Sequence, residues 1–123
     1  MSQTTEKEYS NKPWTLQEAH IFIKKIEPIA EAYGWSLCLH GSILYDGASK
    51  NDIDILAVSR NRTENLPNET DFVAYFIKNG WNLLKTMHLP DRNMHVFIKH
   101  ESNKDIKVDL SFIDMTQWKR KNA

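Results

Sequence analysis

The sequence predicts an α+β fold in which a mixed β-sheet of about five strands packs against two main helices, mainly on one face. Two stretches repeat apolar residues at helical intervals, and the other patterned stretches are short runs of strand-forming residues separated by turns. Their order is helix, strand, strand, helix and three strands, with no internal repeat or linker. We therefore expect a single domain over residues 14–123, preceded by a polar, flexible arm over residues 1–13.

Two segments show the periodicity of amphipathic helices. The first is predicted over residues 15–33, where Thr15 is followed three residues later by a glutamate in the spacing of a capping box. Apolar residues then recur at helical intervals, and Pro28 is expected to kink or divide this helix. The second helix is predicted to begin at Thr70, which suits an N-cap, and to end at Gly80.

The remaining patterned segments are short and are predicted to be strands. They span residues 35–40, 53–58, 81–89, 95–100 and 106–113. The segment 53–58 is dense in β-branched residues, which is typical of a strand in the middle of a sheet. The last two strands are joined by a five-residue loop and form a hairpin. Histidines that alternate with apolar residues, among them His95, are expected on the solvent-facing side of the sheet.

The charge balance and the cysteine content exclude several classes of protein. Sixteen basic and sixteen acidic residues cancel, which argues against a non-specific nucleic-acid binder but leaves a nucleotide substrate open. Cys38 is the only cysteine, so an internal disulfide and a cysteine-based zinc site are excluded, and its apolar surroundings predict a buried thiol. No apolar run could span a bilayer and no signal peptide is visible, so we expect a cytoplasmic protein without a membrane partner.

The strongest functional pattern is Gly41-Ser42, then nine residues, then Asp52-Ile53-Asp54-Ile55. Side chains two residues apart on a strand point to the same face, so Asp52 and Asp54 form one acidic pair beside a small turn. Such a pair suits a divalent cation that carries a phosphate chain. His40, next to the glycine, could contact a phosphate or support the site by hydrogen bonding.

A third carboxylate occurs in the same local context, because Asp109 also lies between apolar residues of a predicted strand. Acidic residues are disfavoured inside strands, which makes this recurrence informative. Three converging carboxylates could hold two divalent ions, and Mg²⁺ prefers such ligands together with phosphate oxygens. Alternatively, Asp109 faces water on an edge strand, and Asp105 or Asp114 is the better-placed group.

Together, Gly41-Ser42, the spacer, Asp52-x-Asp54 and the later Asp109 resemble the nucleotidyltransferase superfamily related to DNA polymerase β, most closely over residues 37–58. The resemblance implies the polymerase β-like fold and transfer of a nucleoside monophosphate from an NTP, such as ATP, to a hydroxyl acceptor. It implies that Gly41 and Ser42 bind the triphosphate and that the Asp-x-Asp pair ligates two Mg²⁺ (or Mn²⁺) ions. Asp109 would complete one metal site and assist the incoming hydroxyl.

The chain departs from that family after the Gly-Ser turn. Small members often carry an arginine there, whereas residues 43–46 are Ile-Leu-Tyr-Asp. Phosphate contacts are therefore expected from Lys50, Arg60 or Arg62, and Tyr45 is the aromatic residue expected to stack on a base.

The resemblance leaves the acceptor open, as a protein, an RNA end or a small molecule. Antibiotic-modifying members usually add a helical C-terminal domain, whereas this sequence ends soon after its third carboxylate, so we expect a minimal catalytic core. Such cores commonly work as homo-oligomers or with a separate partner protein, as minimal antitoxins do with HEPN-type toxins. One alternative is a non-catalytic nucleotide- or partner-binding module, such as an antitoxin-like regulator. A metal-dependent phosphoesterase is the other.

Overall fold

A computed structural model describes residues 14–41, 48–49, 52–59, 67–101 and 104–115 of the chain. Two helices and seven strands are present in these ranges. In chain order they are β1 (Trp14–Thr15), α1 (Leu16–Ala32), β2 (Trp35–His40), β3 (Ala48–Ser49), β4 (Asp52–Ser59), α2 (Glu69–Lys78), β5 (Asn82–His88), β6 (Asn93–Glu101) and β7 (Lys104–Ile113).

The five longer strands form one mixed sheet in the order β2-β4-β7-β6-β5. Strands β4 and β7 run parallel, and every other neighbouring pair in this sheet is antiparallel. The two short strands, β1 and β3, pair separately. The predicted α+β fold with two helices and a mixed five-stranded sheet is confirmed, and β4 lies inside the sheet as its composition indicates.

Helix α1 begins with the predicted capping box. The Thr15 hydroxyl accepts a hydrogen bond from the Glu18 backbone N–H at 3.1 Å, and the Glu18 carboxylate accepts one from the Thr15 N–H at 3.0 Å. Pro28 does not divide the helix, which continues to Ala32. We attribute this continuity to packing, because α1 buries an apolar stripe on both sides of the proline. The stripe consists of Ala19, Ile23, Ile26 and Ala30.

Helix α2 is capped by Asn68 rather than by Thr70, so the predicted start was wrong by two positions. The Asn68 side chain accepts a hydrogen bond from the Asp71 N–H at 3.0 Å. Asparagine is at least as good an N-cap as threonine, and the helix buries Phe72 and Phe76 in the core. After the helix, Gly80 has a φ of 93°, a conformation that favours glycine.

The core lies between the two helices and one face of the sheet. Ile53, Ile55 and Ala57 of β4 are fully buried in it, whereas the residues that alternate with them are only half-buried. Aromatic side chains interlock above the sheet, with the rings of Phe76 and Phe97 stacked at 4.7 Å between centroids. The alternation places Asp52, Asp54 and their neighbours on the sheet face away from the core.

Two side chains lie opposite to expectation. Cys38 is exposed, because it alternates with the buried Leu37 on β2 and therefore lies on the other face of the sheet. His95 is buried, because β6 directs it towards the start of α2, where its Nε2 lies 2.6 Å from Oε2 of Glu69. Its Nδ1 lies 2.9 Å from the Thr86 hydroxyl, so both ring nitrogens have partners.

The Glu69 carboxylate joins α2 to the sheet, since it also accepts a hydrogen bond from the Asn93 side chain at 3.1 Å. Burial raises the pKa of Glu69, but the bonds from His95 and Asn93 outweigh burial and hold this pKa below its usual range. The carboxylate therefore stays ionised near neutral pH. Neither helix described by the structure is both long enough and apolar enough to cross a membrane.

Candidate functional site

The parallel pairing of β4 with β7 brings the acidic residues of the two strands together. Asp54 is paired in register with Asp109, and Asp52 is paired with Lys107. The intervening pair, Ile53 and Val108, is fully buried in the core. Residues paired across neighbouring strands share a face, so all three aspartates project from the face opposite the core.

The three carboxylates are close enough to share a cation. Each offers an oxygen atom, and these atoms all lie within 4.8 Å of one another. All three residues are half-buried. Strand β7 lies between β4 and β6, so Asp109 is not on an edge strand. Asp105, the other candidate on β7, instead pairs with His100 at the hairpin end.

Proximity and burial shift the proton affinity of this cluster. Burial, followed by the neighbouring carboxylates of Asp52 and Asp54, raises the pKa of Asp109 to about 7. Burial and Asp52 also raise the pKa of Asp54, while His40 and Asp109 act in the opposite direction. Without a cation, the cluster therefore resists full ionisation.

The donor set fits a hard divalent cation. Three carboxylates supply the oxygen ligands that Mg²⁺ and Mn²⁺ prefer. One of these oxygens, Oδ1 of Asp109, is buried and has no hydrogen-bond partner among the described residues. A buried acceptor without a partner costs about 1–3 kcal/mol, and a bound cation would remove that cost. The acidic triad of Asp52, Asp54 and Asp109 could thus hold a metal ion.

Gly41 closes the site on the β2 side. It follows the last residue of β2 with a φ of 81°, which favours glycine. A Cβ atom at this position would overlap Oδ2 of Asp54 and lie 3.2 Å from its Cγ. Any larger residue would therefore displace a candidate ligand. The other residues expected to bind nucleotide, Ser42, Tyr45 and Lys50, lie outside the described residues, as do Arg60 and Arg62.

Two nitrogen-bearing side chains flank the triad. His40 is paired in register with Asp54 across β2 and β4, and its Nε2 is buried with no partner among the described residues. Lys107 is paired with Asp52 on the same face of the sheet. Lys107 was not predicted as a site residue, although its position two residues before Asp109 on one strand already implied a shared face.

A scan of the chain against models of known protein families finds no match. A search of the curated proteins likewise finds no matching sequence. The structure by itself shows a small α+β fold with a mixed five-stranded sheet and an acidic triad.

Proposed function

We propose that this protein is a metal-dependent nucleotidyltransferase of the DNA polymerase β-like superfamily. It transfers a nucleoside monophosphate from an NTP, such as ATP, to a hydroxyl group. The observation that carries the proposal is the convergence of Asp52, Asp54 and Asp109 on two parallel strands, beside a glycine that packs against Asp54. The Gly-Ser and Asp-x-Asp spacing of the sequence supports the same assignment.

The triad would hold one or two Mg²⁺ (or Mn²⁺) ions. A bound cation supplies neutralisation of phosphate charge and a lower pKa for the attacking hydroxyl. The protein's part is to hold three carboxylates at fixed positions on a rigid sheet. Their half-buried setting reduces solvent screening, so charges interact more strongly there than in bulk water.

The proposed reaction is an in-line displacement at the α-phosphorus. The acceptor oxygen forms a bond to this atom while the bond to the bridging oxygen breaks, and pyrophosphate leaves. We assign the hydroxyl proton to the Asp109 carboxylate, which lies in register with Asp54 and completes the triad, as the resemblance implies. Gly41 and Ser42 would lie against the triphosphate, Lys50 would contact a phosphate, and Tyr45 would stack on the base.

The acceptor in this proposal is a protein side chain, an RNA 3′ end or a small molecule, and the protein acts as a homo-oligomer or with a partner protein. The direct test incubates the purified protein with each labelled NTP and Mg²⁺ or Mn²⁺, in the presence of RNA or a cytoplasmic lysate. Label transfer and pyrophosphate release are then measured, and the labelled molecule is identified.

Asp54→Asn keeps the side-chain shape but removes a ligand charge, so we expect transfer to fall at least about 100-fold while the fold is retained. Asp105→Asn is the matched control, because Asp105 lies on β7 outside the triad and should leave transfer unchanged. Full activity of the Asp54 variant would contradict the metal role. Metal-dependent NTP binding without transfer to any acceptor would favour the non-catalytic binding module instead.

A further inference from the structure

We propose that His40 contacts the substrate, through a hydrogen bond from its imidazole to a phosphoryl oxygen of the nucleotide bound at the triad. This inference rests on the proposed function and assigns a further residue to that site. His40 is the last residue of β2 and directly precedes Gly41, where the chain leaves the sheet.

The strand register places His40 in line with the triad. His40 is paired with Asp54 across β2 and β4, and Asp54 is paired with Asp109 across β4 and β7. Because paired residues share a face, the three side chains form one row on the side of the sheet away from the core. His40 therefore flanks Asp54 on the side opposite Asp109.

The imidazole has an unmet hydrogen bond at this position. Its Nε2 is buried and has no partner among the described residues. A buried polar nitrogen without a partner is destabilising, so it marks a place where a further group is expected. Among the residues that the structure describes, three buried side-chain polar atoms share this condition, and two of them, on His40 and Asp109, lie in this one row.

Metal binding does not explain the unpaired Nε2 of His40. The group whose ligand atoms lie within 4.8 Å of one another consists of the three aspartates and does not include the histidine. A direct hydrogen bond from Nε2 to Asp54 is also absent from the described contacts, although the ring acts on that carboxylate through its charge. No described residue supplies the partner of Nε2, and the proposal assigns that place to a ligand bound at the triad.

A phosphoryl oxygen is the partner that the local chemistry favours. The triad presents only acceptor atoms, and three carboxylates repel an approaching phosphate wherever a cation does not screen them. An imidazole N–H is a donor, and hydrogen bonds from imidazole to anionic oxygens are among the stronger ones in proteins. A nucleotide that reaches over Asp54 towards Gly41 would bring its phosphate chain past this donor.

The test compares His40→Ala and His40→Gln with the wild-type protein, using calorimetry with Mn²⁺ alone, with Mg²⁺ plus ATP, and with Mg²⁺ plus adenosine. We expect His40→Ala to bind Mn²⁺ within about twofold of wild type but to bind ATP about tenfold or more weakly. His40→Gln retains a donor and should recover part of the affinity. Adenosine binding should not change. His20→Ala, on the exposed side of α1, is the matched control and should behave as wild type.

Unfolding followed by circular dichroism checks that each variant is folded. If His40→Ala is unstable, the comparison with the wild-type protein uses His40→Gln. Equal ATP affinity of the wild type and the folded His40 variants would overturn the inference. An equal loss of Mn²⁺ and ATP affinity would also overturn it, because His40 would then act through Asp54. If the wild-type protein binds neither Mn²⁺ nor ATP, the proposed function itself fails, which is a distinct result.

Discussion

Replacing Asp109 by asparagine should stabilise the metal-free protein at alkaline pH and abolish its response to metal. In the folded protein the pKa of Asp109 is raised to about 7, first by burial and then by the carboxylates of Asp52 and Asp54. Above pH 3.8, the usual pKa of an aspartate, the folded state therefore holds a proton that the unfolded chain has already released. Stability must fall as the pH rises from about 4 to about 7, because folding then requires proton uptake or charge burial.

The pKa difference sets an upper limit on this effect. A rise from 3.8 to about 7 corresponds to at most about 4 kcal/mol of destabilisation at high pH. Asp109 is only half-buried, and solvent screening reduces the expected loss to roughly 1–3 kcal/mol. Asparagine carries no charge, so Asp109→Asn should recover this amount at pH 8 and less at pH 5. With metal present, the stability of the wild-type protein should instead rise with pH. A cation binds the ionised cluster, so it stabilises the folded state more as the pH rises.

The assay is urea unfolding at pH 5 and pH 8, with a chelator or with Mg²⁺ or Mn²⁺. At a free metal concentration about 100 times Kd, the wild-type protein should gain about 2.7 kcal/mol, and Asp109→Asn should gain little. Asp105→Asn is the matched control, because Asp105 lies on the same strand and face about 13 Å away. A wild-type metal response in the Asp109 variant would refute the reasoning, and so would lower stability of that variant at pH 8 in chelator.

Two further perturbations test the surroundings of the site. Gly41→Ala should cost about 1–3 kcal/mol and weaken metal binding, because its φ is 81° and its Cβ would overlap the Asp54 carboxylate. Gly80→Ala has a similar φ of 93°, but its Cβ would make only an ordinary contact with the Lys99 side chain at 3.4 Å, so in thermal unfolding and metal titration it should lose stability without losing metal binding. Glu69→Gln should cost about 1–3 kcal/mol at pH 7, because it weakens the bond to His95. The stability that the ionised Glu69 carboxylate contributes is present above its unfolded pKa of 4.5 and is lost as the pH falls through its lowered folded pKa. Equal stability of the wild-type protein and Glu69→Gln at pH 7 would contradict this prediction.

Features encoded by neighbours in the chain were predictable. The capping box of α1 follows from Thr15 and a glutamate three residues later, and β4 follows from its run of β-branched residues. The start of α2 was placed wrongly because Asn68 and Thr70 both suit an N-cap, and in the structure it is the Asn68 side chain that accepts the hydrogen bond from the Asp71 N–H. The exposure of Cys38 and the burial of His95 depended on which face of each strand meets the helices, which apolar composition does not specify.

For the candidate site, the sequence by itself determined that Asp52 and Asp54 share one face of a strand, because side chains alternate with a period of two. It also singled out Asp109, because an acidic residue between apolar neighbours is unusual inside a strand. Only the tertiary structure decided that β7 lies parallel to β4, with Asp109 opposite Asp54 and Lys107 opposite Asp52. A single strand contains no information on its partner or register, which are set by packing the buried faces of both strands against the same core.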